Sequence, residues 1–214
     1  MAKDITKTFI QRKHEVDEPD KTAVYTSGEA AEGARFNLEE SNVFFIGPRG
    51  SGKSTLAREV AERLGAVFWD IDDMIVRAVG ESIAEHVHKH GWPDFRKREH
   101  EQLQWICRHR GQVVATGGGI VLLPENRRLL KENGRVFYLM VDVETLLNRL
   151  QADDAGAQRP ALHEEAGSLR EEVSLVIRDR EPYYFETLHY ILQAHKTVDE
   201  LTEDVMLMLD MPTG

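Results

Sequence analysis

The stretch Gly47-Pro48-Arg49-Gly50-Ser51-Gly52-Lys53-Ser54-Thr55 decides how this chain is read. It fits the pattern G-x-x-x-x-G-K-[ST], and its surroundings are the ones that pattern requires. The apolar run Val43-Phe44-Phe45-Ile46 predicts a short strand before it, and the spacing of apolar residues from about Lys53 to Leu64 predicts a helix after it. Glycines in such a turn let backbone N–H groups converge on phosphate oxygens, and the following helix adds its positive end. Lys53 can reach β and γ phosphates, and the Ser54 hydroxyl suits magnesium, so a nucleoside triphosphate with Mg²⁺ is the first expected ligand.

Downstream, short apolar runs recur at Val67-Phe68-Trp69, Val113-Val114-Ala115, Val136-Phe137-Tyr138-Leu139 and His189-Tyr190-Ile191-Leu192, with helix-like patterns between them. That alternation predicts an α/β fold in which helices cover both faces of a parallel sheet. Further helices are expected over about 71–79, 83–90, 93–108, 125–132, 143–150, 168–186 and 198–209. The polar, charged segment 151–167 is too long for a tight turn and has the pattern of a mobile lid. Upstream, residues 1–40 show no sustained periodicity and are expected to form a flexible polar extension outside a folded domain of residues 41–210.

Composition narrows the function. A chain of 214 residues has room for one ordinary domain, and 41% hydrophobic with 30% charged residues describes a soluble globular protein. No apolar run approaches the roughly 18 residues of a membrane-spanning helix, and the first residues lack the apolar core of a secretory signal. With 27 Lys and Arg against 37 Asp and Glu, the net charge of -10 offers no general basic field for nucleic acid. Cys107 is the sole cysteine, which excludes an intrachain disulfide and a cysteine-based zinc site and makes the cytoplasm the expected compartment.

Several smaller features carry chemistry. Asp70-Ile71-Asp72-Asp73 ends the second predicted strand, where the carboxyl ends of parallel strands form a ligand crevice. One of these carboxylates can hold magnesium and a second can accept the proton of an attacking hydroxyl, although Asp73 above all, and Asp70 and Asp72 less so, also suit a helix cap. Arg96 and Glu99 in Phe95-Arg96-Lys97-Arg98-Glu99 share a helix face, a spacing that an exposed ion pair would explain equally well. Thr116-Gly117-Gly118-Gly119 ends the third strand, where bare glycines either make a plain loop or let another molecule approach the backbone. Arg159 in the lid-like segment and Arg180 late in the 168–186 helix are each a surface cation or an anion clamp.

Taken together and in this order, these features resemble the shikimate kinase family over Asn42 to Leu209. GPRGSGKST resembles its phosphate-loop segment, FWDIDD its F-x-D-[TS]-D, FRKRE its F-R-x-x-E, VVATGGG its glycine-rich strand end, QRP its lid R-P and RDREPYY its R-x-x-x-Y. GWPDFRKRE and VVATGGGIVLL are further similar to the type II branch. Ile71 stands where the family usually has Thr or Ser, Ala161 where a larger apolar residue is common, and Ala194-His195-Lys196-Thr197 replaces the family's adenine loop.

The resemblance implies a three-layer sandwich on a five-stranded parallel sheet, like nucleoside monophosphate kinases, with a lid and an acceptor-binding subdomain. It implies ATP-dependent phosphorylation of the 3-hydroxyl of shikimate, a step toward chorismate and the aromatic amino acids, by a monomer. Gly50, Ser51, Gly52, Lys53, Ser54 and Thr55 would bind the nucleotide, Arg149 would stack on adenine, and Arg159 would close over the transferring phosphoryl. Ser54 and Asp70 would hold Mg²⁺, and Asp72 would meet the acceptor hydroxyl. Arg96, Gly118 and Arg180, with Gly117 and Gly119 beside them, would grip the acceptor carboxylate while Glu99 orients Arg96. A kinase for another hydroxy acid such as gluconate, or a nucleotide-binding regulator without turnover, are the alternative readings.

Three other groups have plainer explanations. His86 and His90 share a helix face, but no cysteine or adjacent carboxylate completes a ligand set with them, so they are expected as acceptor-subdomain residues and not as metal ligands. Trp69, Trp92 and Trp105 are expected in core or pocket walls, and Cys107 as an inert thiol.

Overall fold

The computed structural model describes residues 36–152 and 167–211. Five strands form one parallel sheet in the order β2-β3-β1-β4-β5: β1 (Asn42–Ile46), β2 (Val67–Asp70), β3 (Gln112–Ala115), β4 (Gly134–Met140) and β5 (Tyr190–Gln193). The helices are α1 (Lys53–Leu64), α2 (Ile71–Val79), α3 (Ile83–Ile106), α4 (Pro124–Asn133), α5 (Val143–Ala152), α6 (Leu169–Thr187) and α7 (Val198–Met208). The parallel sheet covered by helices on both faces, expected from the alternation of apolar runs, is therefore present, with the five strands that the resemblance implies.

The central strand shows why the sheet needs two helical layers. Successive side chains of β1 point to opposite faces: Val43 and Phe45 enter one core with Leu56, Val60, Leu201 and Val205, while Phe44 and Ile46 enter the other with Ile71, Leu103, Val121 and Tyr184. A strand buried on both sides reads as a continuous apolar run, as Val43–Ile46 does. Each phenylalanine-sized side chain so buried stabilises the fold by about 1.5–3 kcal/mol. β1 pairs with β3 on one side and β4 on the other, so the order turns outward from β1 in both directions. Its carboxyl end is the switch point at which α/β sheets open a ligand crevice.

One expected boundary is revised. The helices expected at 83–90 and 93–108 form the single element α3, interrupted at Gly91, whose backbone (φ 79°, ψ 166°) is not helical. A side chain at this φ would be strained, so glycine makes the elbow, and Pro93 opens the second half where its missing N–H has no helical partner to lose. A short 3-10 turn at Ile120–Leu122, absent from the expected pattern, carries the chain from the glycine-rich strand end into α4.

Candidate active site

The phosphate loop leaves β1 at Gly47 and enters α1 at Lys53. Gly47, Gly50 and Gly52 all have positive φ, and Gly52 (φ 98°) occupies the left-handed position at the helix N-cap, where a larger residue would be strained. Lys53 lies buried with its Nζ donating to the Pro48 carbonyl at 2.8 Å, so the cation arches over the loop that would wrap a phosphate. Arg149, from α5, donates to Ser51 O at 2.9 Å and to Ala194 O at 2.6 Å. It ties the loop to the turn after β5.

Asp70, last residue of β2, has two duties. Its Oδ1 accepts from the backbone N–H groups of Asp72 (3.0 Å) and Asp73 (3.4 Å), which makes Asp70 the N-cap of α2. Of the three aspartates that suit a cap, the first takes the role, and the Asp72 carboxyl lies beside Gly117 at the crevice. The other oxygen, Oδ2, accepts the Ser54 hydroxyl at 2.5 Å. Adjacent hydroxyl and carboxylate oxygens beside a phosphate loop are the hard donors that magnesium takes, so Ser54 and Asp70 fit that ion. Ile71, where the resemblance leads one to expect a hydroxyl, is fully buried against the core and does not line the crevice.

Acceptor-side residues converge from four elements. Arg96 and Glu99 pair directly on α3, and the pair is far from the exposed one that spacing alone allows, because Glu99 is 0% exposed. Arg96 lies over the Trp92 ring, its guanidinium carbon 4.9 Å from the ring centroid. Trp92 packs against the core beside Arg96, and Trp69 and Trp105 meet edge to face at 5.4 Å in the wall of a surface pocket, so all three lie in core or pocket walls as expected. Burial pushes the Glu99 carboxyl up to about 7, the Asp72 charge adds to the rise, and Arg96 and Arg180 oppose it. Its Oε1 is buried without a hydrogen-bond partner among the described residues.

The glycines after β3 are required by space. A Cβ on Gly117 would overlap the Glu99 carboxylate, and one on Gly119 would overlap the Arg96 guanidinium. A Cβ on Gly118 would lie 3.2 Å from Arg49 N and 3.4 Å from Gly47 O, so this turn touches the phosphate loop itself. The Gly118 carbonyl accepts from Arg180 Nη1 at 3.1 Å and from the Tyr184 hydroxyl at 2.6 Å, both on α6. Arg180 is buried, not a surface cation, and desolvation lowers its pKa from the usual arginine range. Tyr184 was visible beforehand only as the second member of R-x-x-x-Y, a spacing that places it one helical turn after Arg180. Arg159 and Ala161 lie outside the described residues. Burial raises the Cys107 thiol to about 11, consistent with an inert residue.

A phosphate loop at the switch point of a parallel sheet, joined through a glycine turn to a crevice holding two arginines and two carboxylates, defines a phosphotransferase of the nucleoside monophosphate kinase type. The shikimate kinase family model matches residues 49–210. The chain is 39% identical over 172 residues to "Shikimate kinase 2" of Dickeya chrysanthemi, covering 80% of this chain and 98% of that one. It is 43% identical over 152 residues to a shikimate kinase of Oleidesulfovibrio alaskensis, covering 71% and 87%. Among solved structures, shikimate kinase from Acinetobacter baumannii in complex with shikimate superposes with a TM-score of 0.74 at 32% identity, over 81% of this chain and 95% of that one. The chain belongs to the shikimate kinase family.

Proposed function

We propose that this protein transfers the γ-phosphoryl of ATP to the 3-hydroxyl of shikimate, giving ADP and shikimate 3-phosphate. The observation that carries the reading is the contact between the Gly117–Gly119 turn and the phosphate loop: it brings Asp72, Arg96, Glu99 and Arg180 beside the place where a terminal phosphate would lie. Two arginines suit a carboxylate and an aspartate suits a hydroxyl, which together describe a small anionic hydroxy acid.

The residues divide the work. Lys53 and the amides of Gly50 to Thr55 neutralise the phosphates, and Arg159, outside the described residues, would add its charge as the family resemblance implies. Ser54 and Asp70 would hold magnesium, which would supply positive charge against the phosphates. Arg96 and Arg180 fix the acceptor carboxylate, with Glu99, buried beneath the glycine turn, orienting Arg96. Asp72 takes the proton of the attacking hydroxyl as the new O–P bond forms and the bond to the ADP oxygen breaks. Most of the rate enhancement comes from position and charge, since phosphoryl transfer asks for little covalent chemistry from the protein.

A coupled ADP-release assay with shikimate, quinate and gluconate in parallel tests the reading. Shikimate is expected to give stoichiometric ADP and gluconate only background; faster turnover of gluconate than of shikimate would overturn the assignment.

A further inference from the structure

Among the described residues, one group of His, Cys, Asp and Glu side chains brings its ligand atoms within 4.8 Å of one another, and it is not part of the kinase crevice: Glu81, His86 and His90. The two histidines lie one turn apart on the first half of α3, with ring centroids 4.8 Å apart. Glu81 precedes the N-cap Ser82, whose capping box with Glu85 fixes the entry of the chain into the helix. That entry brings Glu81 Oε1 to 2.9 Å from His86 Nδ1 and 3.9 Å from His90 Nε2. The carboxylate that completes the set is thus Glu81, five residues upstream of His86, and not the adjacent Glu85, which is engaged in the capping box.

His86 is 3% exposed and has a carboxylate at each ring nitrogen, with Asp94 Oδ2 at 2.9 Å from Nε2. When Nε2–H donates to Asp94, the Nδ1 lone pair faces the Glu81 oxygen, and two such acceptors remain together only with a cation between them. A shared proton is one such cation and a metal ion is the other. A carboxylate behind one nitrogen of a histidine whose other nitrogen faces outward is the arrangement that orients metal-bound imidazole. Lys89 engages Glu81 through Oε2 and leaves Oε1 to the histidines. Separations of 2.9 and 3.9 Å lie on either side of the roughly 3.3 Å between neighbouring ligands of a tetrahedral ion with bonds of about 2.0–2.1 Å. His90, 53% exposed at its side chain, is free to make the adjustment.

We propose that Glu81, His86 and His90 form a binding site for Zn²⁺, with Asp94 orienting His86 and solvent completing the coordination. Two imidazoles and a carboxylate suit zinc and not magnesium, which takes oxygen donors, so this site does not compete for the ion of phosphoryl transfer. Any proton on the ligating atoms leaves to solvent on binding, since a metal takes deprotonated ligands. The site also lies just before the Gly91 elbow, and Asp94 belongs to the second half of α3, so an ion here would join the halves on either side of the bend.

Full-length protein stripped with chelator and held in excess magnesium would be titrated with zinc chloride by calorimetry, with thermal melting in parallel. One equivalent is expected to bind the unsubstituted protein and raise Tm, as binding to the native state alone must. His90→Ala and Glu81→Gln should each weaken binding by about tenfold or more, while His88→Ala, exposed and outside the cluster, should leave it unchanged. Because His90 is largely exposed, its removal leaves the metal-free fold intact, and Glu81→Gln supplies an independent variant. Failure of the unsubstituted protein to bind one equivalent, or binding by His90→Ala as tight as the unsubstituted protein's, would overturn the proposal.

Discussion

The two halves of the kinase crevice are built by opposite means. Its phosphate half is mostly backbone, a loop of consecutive residues whose glycines and helix N-terminus do the binding, with Lys53 as its principal side-chain cation. The acceptor half is mostly side chain, drawn from α2, α3 and α6 around a glycine turn, and each group there is held by another. A backbone site tolerates neighbours changing; a buried side-chain network fails when any member moves. Substitutions should therefore separate cleanly by half.

Asp72→Asn should give the largest effect. The amide still hydrogen-bonds a hydroxyl but cannot take up its proton, so kcat should fall by about 10²–10⁴ while nucleotide affinity, measured by titration, stays near normal. A variant retaining more than half of kcat would remove Asp72 from the role of base. Arg96→Ala, by contrast, removes binding common to ground and transition states and should act chiefly on the shikimate KM.

Gly119→Ala comes next and is the sharpest test of the side-chain half. Gly119 has φ −104°, which any residue adopts, so the requirement is for space alone. The overlapped atoms are the end of a flexible side chain, so the methyl group should displace Arg96 and leave the fold standing. The shikimate KM should rise about 10- to 100-fold, the equivalent of losing a charged hydrogen bond worth about 1.5–3 kcal/mol, with the ATP KM unchanged. An equal rise in both constants would show that the halves are not separable.

A smaller effect is expected from pH. The Glu99 carboxyl is raised in the folded protein to about 7, so the stability associated with its protonated form is complete below about pH 4.5 and lost as pH rises through 7. Glu99→Gln cannot ionise, and its Tm relative to the unsubstituted protein should therefore climb between about pH 5 and pH 8 in the absence of ligand. A flat difference would mean that Arg96 and Arg180 keep Glu99 ionised throughout. The smallest effect belongs outside both halves: removing residues 1–35, which precede the family match, should change kcat/KM by less than about twofold.

The same contrast explains what could be read before the structure was seen. Layers and sheet follow from short-range patterns: Val43 and Phe45 against Phe44 and Ile46, a phosphate loop in one unbroken stretch, a helix after each apolar run. The acceptor half was legible only through family resemblance, because nothing local says that Glu99 is buried or that Gly117 leaves room for it. Asp70 as the cap of α2, the elbow that joins two expected helices at Gly91, and Glu81 folded over His86 all depend on the path of the chain. Residue type alone does not specify that path.

Arg149 commits both terminal nitrogens to the carbonyls of Ser51 and Ala194. What remains for a nucleotide base is a flat cationic face. Such a face stacks on adenine and guanine alike, because every base offers a π-surface and only its edges tell it apart. With Arg149 stacked on the base as the family resemblance implies, choice between ATP and GTP would be beyond this arginine and would fall to whatever meets the base edge, so a chain with a changed Ala194–Thr197 turn could alter its nucleotide preference while Arg149 stays the same.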